Sequence, residues 1–208
     1  MTTNKNMAIW DNVSKTDPKH TKTVSQRGGF TAIDAMYQIQ MATEQFGPAG
    51  KGWGWTVSDP IFPPNNTVAV KITLWHGSHE NVIEQYGQKS INATNGKPDE
   101  DAFKKAVTDG LTKCLSYLGF NADVFLGKFD DNKYVQERIR EEQENEHPEI
   151  GQFNDAVAKA KTADELSKLQ TQFRDDLNRI GVPAQPAIKA FQNKLKTLER
   201  KQANGIAQ

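Results

Sequence analysis

The chain has a single cysteine among its 208 residues, Cys114, so no internal disulfide can staple it. That thiol falls among apolar residues at helical spacing, where a free cysteine acts as a small core side chain. No run of about 18 apolar residues exists to span a membrane. The first residues show no charged, apolar and small-residue succession of a secretory leader, and the expected location is the cytoplasm. An excess of one charge is missing too: 26 Lys and Arg stand against 26 Asp and Glu. This balance excludes the bulk basicity of a nonspecific DNA coater, so any nucleic-acid site has to come from local placement of Lys and Arg.

Motifs that carry covalent chemistry are equally scarce. Gly47-Pro48-Ala49-Gly50-Lys51-Gly52 and Asn95-Gly96-Lys97-Pro98 lack the spacing and the hydroxyl of a phosphate-binding loop, which argues against ATP use. His76 and His79 flank a Gly-Ser turn with no cysteine and only Glu80 nearby, one ligand short of a metal site. Asp130 and Asp131 are an adjacent pair that reads as a solvated loop or a helix start, because neighbouring side chains need further ligands to complete a cation site. No catalytic or metal-binding residue is assigned, no cofactor is expected, and the chain is not expected to be an enzyme.

What is present is organised around Pro98 to Gly119. Phe103, Val107, Leu111, Cys114 and Leu118 recur at steps of three or four, with Ala106 and Leu115 beside them, and predict a buried helix. Asp99, Glu100 and Asp101 put negative charge at its first turn, and Gly119 ends it. Lys105, Thr108, Asp109, Thr112 and Ser116 form the opposite side, with Lys113 at the edge near Ala106 and Gly110. A lysine at that edge can reach over a groove.

Upstream, Met7 to Val13 predicts a short helical turn or anchor, and Asp17 to Phe30 reads as a loop rich in basic and turn residues. Thr31 to Phe46 predicts a second helix ended by Gly47-Pro48. Trp53 to Val57, Thr67 to Trp75 and Glu80 to Tyr86 predict an antiparallel meander of three strands. Downstream, Gln136 to Glu149 is highly charged and fits an acidic linker or an exposed helix. Ile150 to Gln208 carries the stripes Leu166, Leu169, Phe173, Leu177, Ile180 and Ile188, Phe191, Leu195, Leu198, with Thr162 and Glu165 as a capping box. The expected class is α+β: a three-stranded meander packed on a long central helix, followed by a small all-α region. Residues 1–135 are expected to form the first domain, 136–149 a linker, and 150–208 a helical hairpin or three-helix bundle.

If the sheet packs on the central helix, Lys22 and Arg27 ahead of the second helix, Lys89 at the end of the third strand, and Lys105 and Lys113 on the central helix can converge on a groove that attracts a phosphate backbone. Scattered surface lysines would look the same in sequence.

The order of the motifs resembles the N-terminal annealing domain of the Rad52 family of recombination proteins, which includes phage-encoded relatives. A-V-T-D-G-L-T-K-C-L-S-Y-L-G (Ala106 to Gly119) is similar to the family's A-V-T-D-G-L followed by two basic residues. R-G-G-F-T-A-I-D (Arg27 to Asp34) and E-Q-F-G-P-A-G-K-G-W (Glu44 to Trp53) resemble its glycine-rich loop, helix and F-G-x-x-G-W segment. Tyr86-Gly87 and Asp131 to Tyr134 fall in corresponding order, so the likeness covers Asp17 to Tyr134. It implies a β-β-β-α core assembling into homo-oligomeric rings or helical filaments, with single-stranded DNA in an outer groove, pairing complementary strands without ATP. A bacterial host cytoplasm follows from a phage origin.

By position, the resemblance puts Lys22 and Lys113 at an inner DNA site, Gln88 and Lys89 beside the bound strand, and Lys133 near an outer basic site. Thr112 stands where the family has a second basic residue. The implied partners are single-stranded and annealed duplex DNA and further copies of the chain. The C-terminal helices, which the resemblance does not cover, suit recruitment of a host single-strand-binding protein or recombinase. A single-strand-protecting module that mainly recruits such a partner is the alternative function.

Overall fold

Between Thr67 and His76, Val68, Val70, Ile72 and Leu74 alternate with Ala69, Lys71 and Thr73, so a strand here buries one face and leaves the other open. The computed structural model describes residues 5–25, 29–93 and 95–205 and divides the chain into two units, Met1–Val135 and Gln136–Gln208. In chain order the first unit contains α1 (Ala8–Val13), β1 (Thr21–Val24), β2 (Phe30–Ile33), α2 (Ala35–Phe46), β3 (Trp53–Val57), β4 (Thr67–His76), β5 (Ser78–Ser90), α3 (Ala102–Tyr117) and α4 (Ala122–Phe125). The fold is α+β. β3, β4 and β5 form an antiparallel sheet in that order, and α3 packs on β4 and β5.

β5 runs past the expected end at Tyr86 to Ser90, which carries Gln88 and Lys89 into the sheet opposite Ala69 and Val68. The core joins Val68, Val70, Ile72, Leu74 and Trp53 of the sheet to Ala102, Ala106, Leu111, Cys114 and Leu115 of α3, closed by Phe120.

Two expectations about helices are corrected. Phe103, placed on the buried face of the central helix by its spacing, is 44% exposed. The side turned to the sheet is instead the small-residue row Ala102, Ala106, Gly110 and Cys114, flanked by Leu111 and Leu115. The reason is distance: a Cβ on Gly87 would lie 1.8 Å from the Ala106 carbonyl oxygen, and one on Gly110 would lie 2.6 Å from Ile72 Cγ1. Helix and strand meet backbone to backbone, and large side chains have no room between them.

The second correction concerns Asp17 to Ile33. Instead of a loop running into a helix, Thr21–Val24 and Phe30–Ile33 pair antiparallel, with Lys22 opposite Ala32. Helix α2 starts only at Ala35, because the Asp34 side chain accepts from Met36 N at 2.8 Å as an N-cap. The β-branched Thr21, Thr23 and Val24 favour the strand.

A buried polar joint ties the start of the chain to the end of the unit. Asp123 accepts from Thr16 N, Thr16 Oγ1 and the Tyr134 hydroxyl, and Asn121 Nδ2 donates to Thr16 Oγ1 at 3.0 Å. With Thr16 at 0% exposure and Asp123 at 3%, these partners replace the water that burial removes from them.

Residues 132–146, which include most of the stretch read as linker or exposed helix, form one helix, α5 (Asn132–Glu146). Its Arg138 is 3% exposed and bound to Glu141 and Glu142 one turn on, so the acidic run neutralises a buried guanidinium. The second unit continues with α6 (Pro148–Lys159), α7 (Ala163–Ile180) and α8 (Gln185–Gly205). Its own core holds Ile150, Phe153, Val157, Leu166, Phe173, Leu177 and Phe191. The capping box forms, with Glu165 N donating to Thr162 Oγ1 and Thr162 N to Glu165 Oε2.

Candidate nucleic-acid interface

The close crossing at Gly87 and Gly110 puts the last residues of β5 beside the middle of α3. Asp109, on the helix turn facing that strand end, uses both carboxylate oxygens there. Lys89 Nζ lies 3.5 Å from Oδ1, Lys113 Nζ lies 3.3 Å from Oδ2, and Gln88 N donates to Oδ2 at 3.1 Å. Gln88 Nε2 reaches on to Thr67 Oγ1 at 3.1 Å, and Thr112 Oγ1 donates to the Asp109 carbonyl at 3.0 Å. Two of the expected residues, Lys89 and Lys113, therefore bring their side chains to one carboxylate; Gln88 reaches it with its backbone N–H alone, and Thr112 bonds the main chain of the same aspartate.

The two ammonium groups remain open to solvent, with side chains 44% and 51% exposed for Lys89 and Lys113, while the Asp109 side chain is 23% exposed. An ammonium has three donors, so a carboxylate contact leaves hydrogens directed outward to meet another anion. The spacing of Lys105, Asp109 and Lys113 at steps of four puts all three on one face of α3. Lys105 is held by a different acid, with Nζ 2.7 Å from Asp99 Oδ2 and 2.9 Å from Oδ1. That hydrogen bond holds the Asp99 carboxyl below its ordinary range and raises the Lys105 ammonium, so both stay charged at neutral pH.

Lys22, Lys105 and Lys133 are not members of the Asp109 cluster. Lys22 is exposed on β1 and lines an open cleft of about 430 Å³ together with Lys19, His20 and Asp34. In that cleft His20 stacks on Tyr37 at 4.1 Å between centroids, and Lys19 pairs with Asp17 at 2.9 Å. Lys133 is exposed on the first turn of α5, its backbone N donating to Asp131 Oδ1. Arg27 lies outside the described residues.

Sequence reasoning named the lysines and missed the acid that arranges them. The four-residue step from Asp109 to Lys113 was the available signal; its link to Lys89 depends on the sheet register. Lys19, one of the basic residues of the stretch read as a loop, lines the cleft beside His20.

The alternative chemical readings gain no geometry. His76 stacks on Phe46 at 4.8 Å and His79 on Trp75 at 4.0 Å, each ring engaged by an aromatic neighbour. Among the described residues, no group of three or more His, Cys, Asp and Glu side chains is placed to hold a metal ion. No helix among them is long and apolar enough to cross a membrane. Trp53 is fully buried, Trp55 packs against the core, and Tyr86 is exposed on the sheet face away from α3.

Residues 12–147 match the model of a family described as Rad52/22 family double-strand break repair protein, which is more than half of the chain. The match includes the whole lysine-bearing surface described above. Comparison with individual curated proteins gives no match.

Proposed function

The chain belongs to the Rad52/22 family of double-strand break repair proteins, and from membership in that DNA recombination and repair family we propose that it is an ATP-independent single-strand annealing protein. The observation that carries this reading is the meeting of Lys89 and Lys113 at Asp109 on an open surface, with Lys105 one helix turn before that aspartate. Lysines grip phosphates as point charges and read no base edges, so a strand held this way keeps its bases free to test a complement. The protein acts as a homo-oligomer, a ring or a helical filament, along which successive copies extend the groove. It performs no covalent step: its contribution is to hold and align strands. Lys22 and its cleft supply further phosphate contacts on the same subunit, and Lys133 belongs to an outer site.

A second reading, protection of single strands with recruitment of a partner through the C-terminal helices, is favoured by the separate core of residues 150–191. The two readings differ in whether strand pairing is accelerated.

Salt titration of binding to a labelled oligothymidine tests the surface. Lys89→Ala and Lys113→Ala should each lower affinity and flatten log K against log salt by about 0.7, the value for one phosphate contact on a single strand. Slopes equal to that of the unaltered protein would remove these lysines from the interface.

A further inference from the structure

A surface that holds phosphates gains affinity from every unopposed cation, yet this one is built around a carboxylate. Asp109 is not an incidental neighbour. One oxygen faces Lys89, the other faces Lys113 and accepts the Gln88 backbone N–H, and the glycine crossing at Gly87 and Gly110 brings strand and helix close at this point. It is also less exposed than either lysine, so a phosphate arriving from solvent meets the ammonium groups first and the carboxylate beneath them.

We propose that Asp109 is a charge brake on the groove, a positioning residue that holds Lys89 and Lys113 side by side and offsets part of their attraction for phosphate so that a bound strand stays exchangeable. The inference rests on the annealing reading. Annealing needs both halves of this behaviour: alignment requires the two cations in register, and the search for a complement requires strands to slide, release and rebind. A groove of the same lysines without the acid would release one more counterion per subunit on binding, and its affinity would fall more steeply with salt.

Asp109→Asn keeps an oxygen for the Gln88 N–H and removes the charge; Asp109→Glu keeps the charge. Full-length protein is loaded with labelled oligothymidine and chased with unlabelled strand, the salt slope is measured in parallel, and pairing of two complementary oligonucleotides is timed. Asp109→Asn should steepen the slope by about 0.7, so that its gain in affinity shrinks by about threefold between 50 and 200 mM salt. Its chase should slow by a similar factor or more, and its annealing rate should fall although binding is tighter. Asp109→Glu should behave as the unaltered protein. Tryptophan fluorescence melting checks that the first unit is folded, since all four tryptophans lie in it.

Where Asp109→Asn melts early, Thr112→Lys adds the same unit of charge one turn away and leaves the three contacts of the Asp109 carboxylate in place, and it must give the same steeper slope and slower chase. An unchanged slope, or weaker binding by a folded Asp109→Asn protein, overturns the brake and leaves the annealing reading intact. An unaltered protein that binds no single strand, or binds without speeding pairing, overturns both.

Discussion

Gly87 and Gly110 set how near α3 can come to β5, and through that distance they decide where Asp109, Lys113 and Lys89 meet. A methyl group at Gly87 would press on the Ala106 carbonyl oxygen at 1.8 Å, a backbone atom with nowhere to go. Gly87→Ala should cost about 3 kcal/mol of first-unit stability by overpacking, read as a lower urea midpoint in tryptophan fluorescence. An unchanged midpoint would mean the crossing is looser than described. At the next row, Cys114 is fully buried with Sγ 3.6 Å from the Ile83 carbonyl oxygen, and burial pushes its thiol up to about 11. Two units above the ordinary value leave roughly a hundredfold less thiolate at pH 8, so a disulfide reagent should label native protein far more slowly than urea-unfolded protein. Equal rates would contradict the buried placement. Cys114 as a core residue was legible because thiol and neighbours share a helical period. Asp109 as the centre of the basic cluster was not, since its link to Lys89 joins residues 20 positions apart and exists only once β5 and α3 are packed.

At the scale of elements, β4 and the central helix could be read from alternation and from three- and four-residue steps, because each is long enough to show its period several times. The hairpin of β1 and β2 could not. Each strand has four residues and so only two positions per face, while Ile33, Met36, Tyr37 and Met41 continue an apparent helical stripe across the Asp34 cap. Phe103 misled for a related reason: periodicity ranks positions by hydrophobicity, whereas a helix lying close on a strand ranks them by size.

Two elements carry their own tests. Thr162→Ala removes the cap of α7 and should cost about 1 kcal/mol, lowering the helical transition seen by circular dichroism without moving the tryptophan transition, because the second unit has no tryptophan. Movement of both would mean that the units do not unfold separately. His76 sits at the end of β4 against Phe46, and burial pushes its imidazole below the ordinary 6.5. The unfolded chain therefore binds the proton more readily. This contribution to stability is full above pH 6.5 and is lost as pH falls through that value toward the folded one. His76→Phe should flatten the melting temperature between pH 7 and pH 5, and an unchanged slope would show that other groups govern it.

At the scale of the molecule, each of the two units has its own core. The family match ends at residue 147, and the buried core beneath the lysine surface runs from Val13 to Phe120. A chain of residues 1–147 should retain strand annealing within about twofold of the full protein, by the near-additivity of distant parts; loss of pairing with retained binding would favour the recruiting alternative. The α+β order and the two helical stripes of the second unit were legible as patterns, but the charged run left linker and exposed helix equally open, since Arg138 reads as surface until its glutamates are seen closing over it. The central claim is that a lysine surface on the first unit pairs complementary strands without a nucleotide or a metal. It is tested most directly by mixing two complementary fluorescent oligonucleotides in chelator, without ATP, with the unaltered protein, Lys113→Ala or Lys22→Ala. The account predicts faster pairing with the unaltered protein and slower pairing with both variants. Binding without faster pairing, or equal rates for all three proteins, would contradict it.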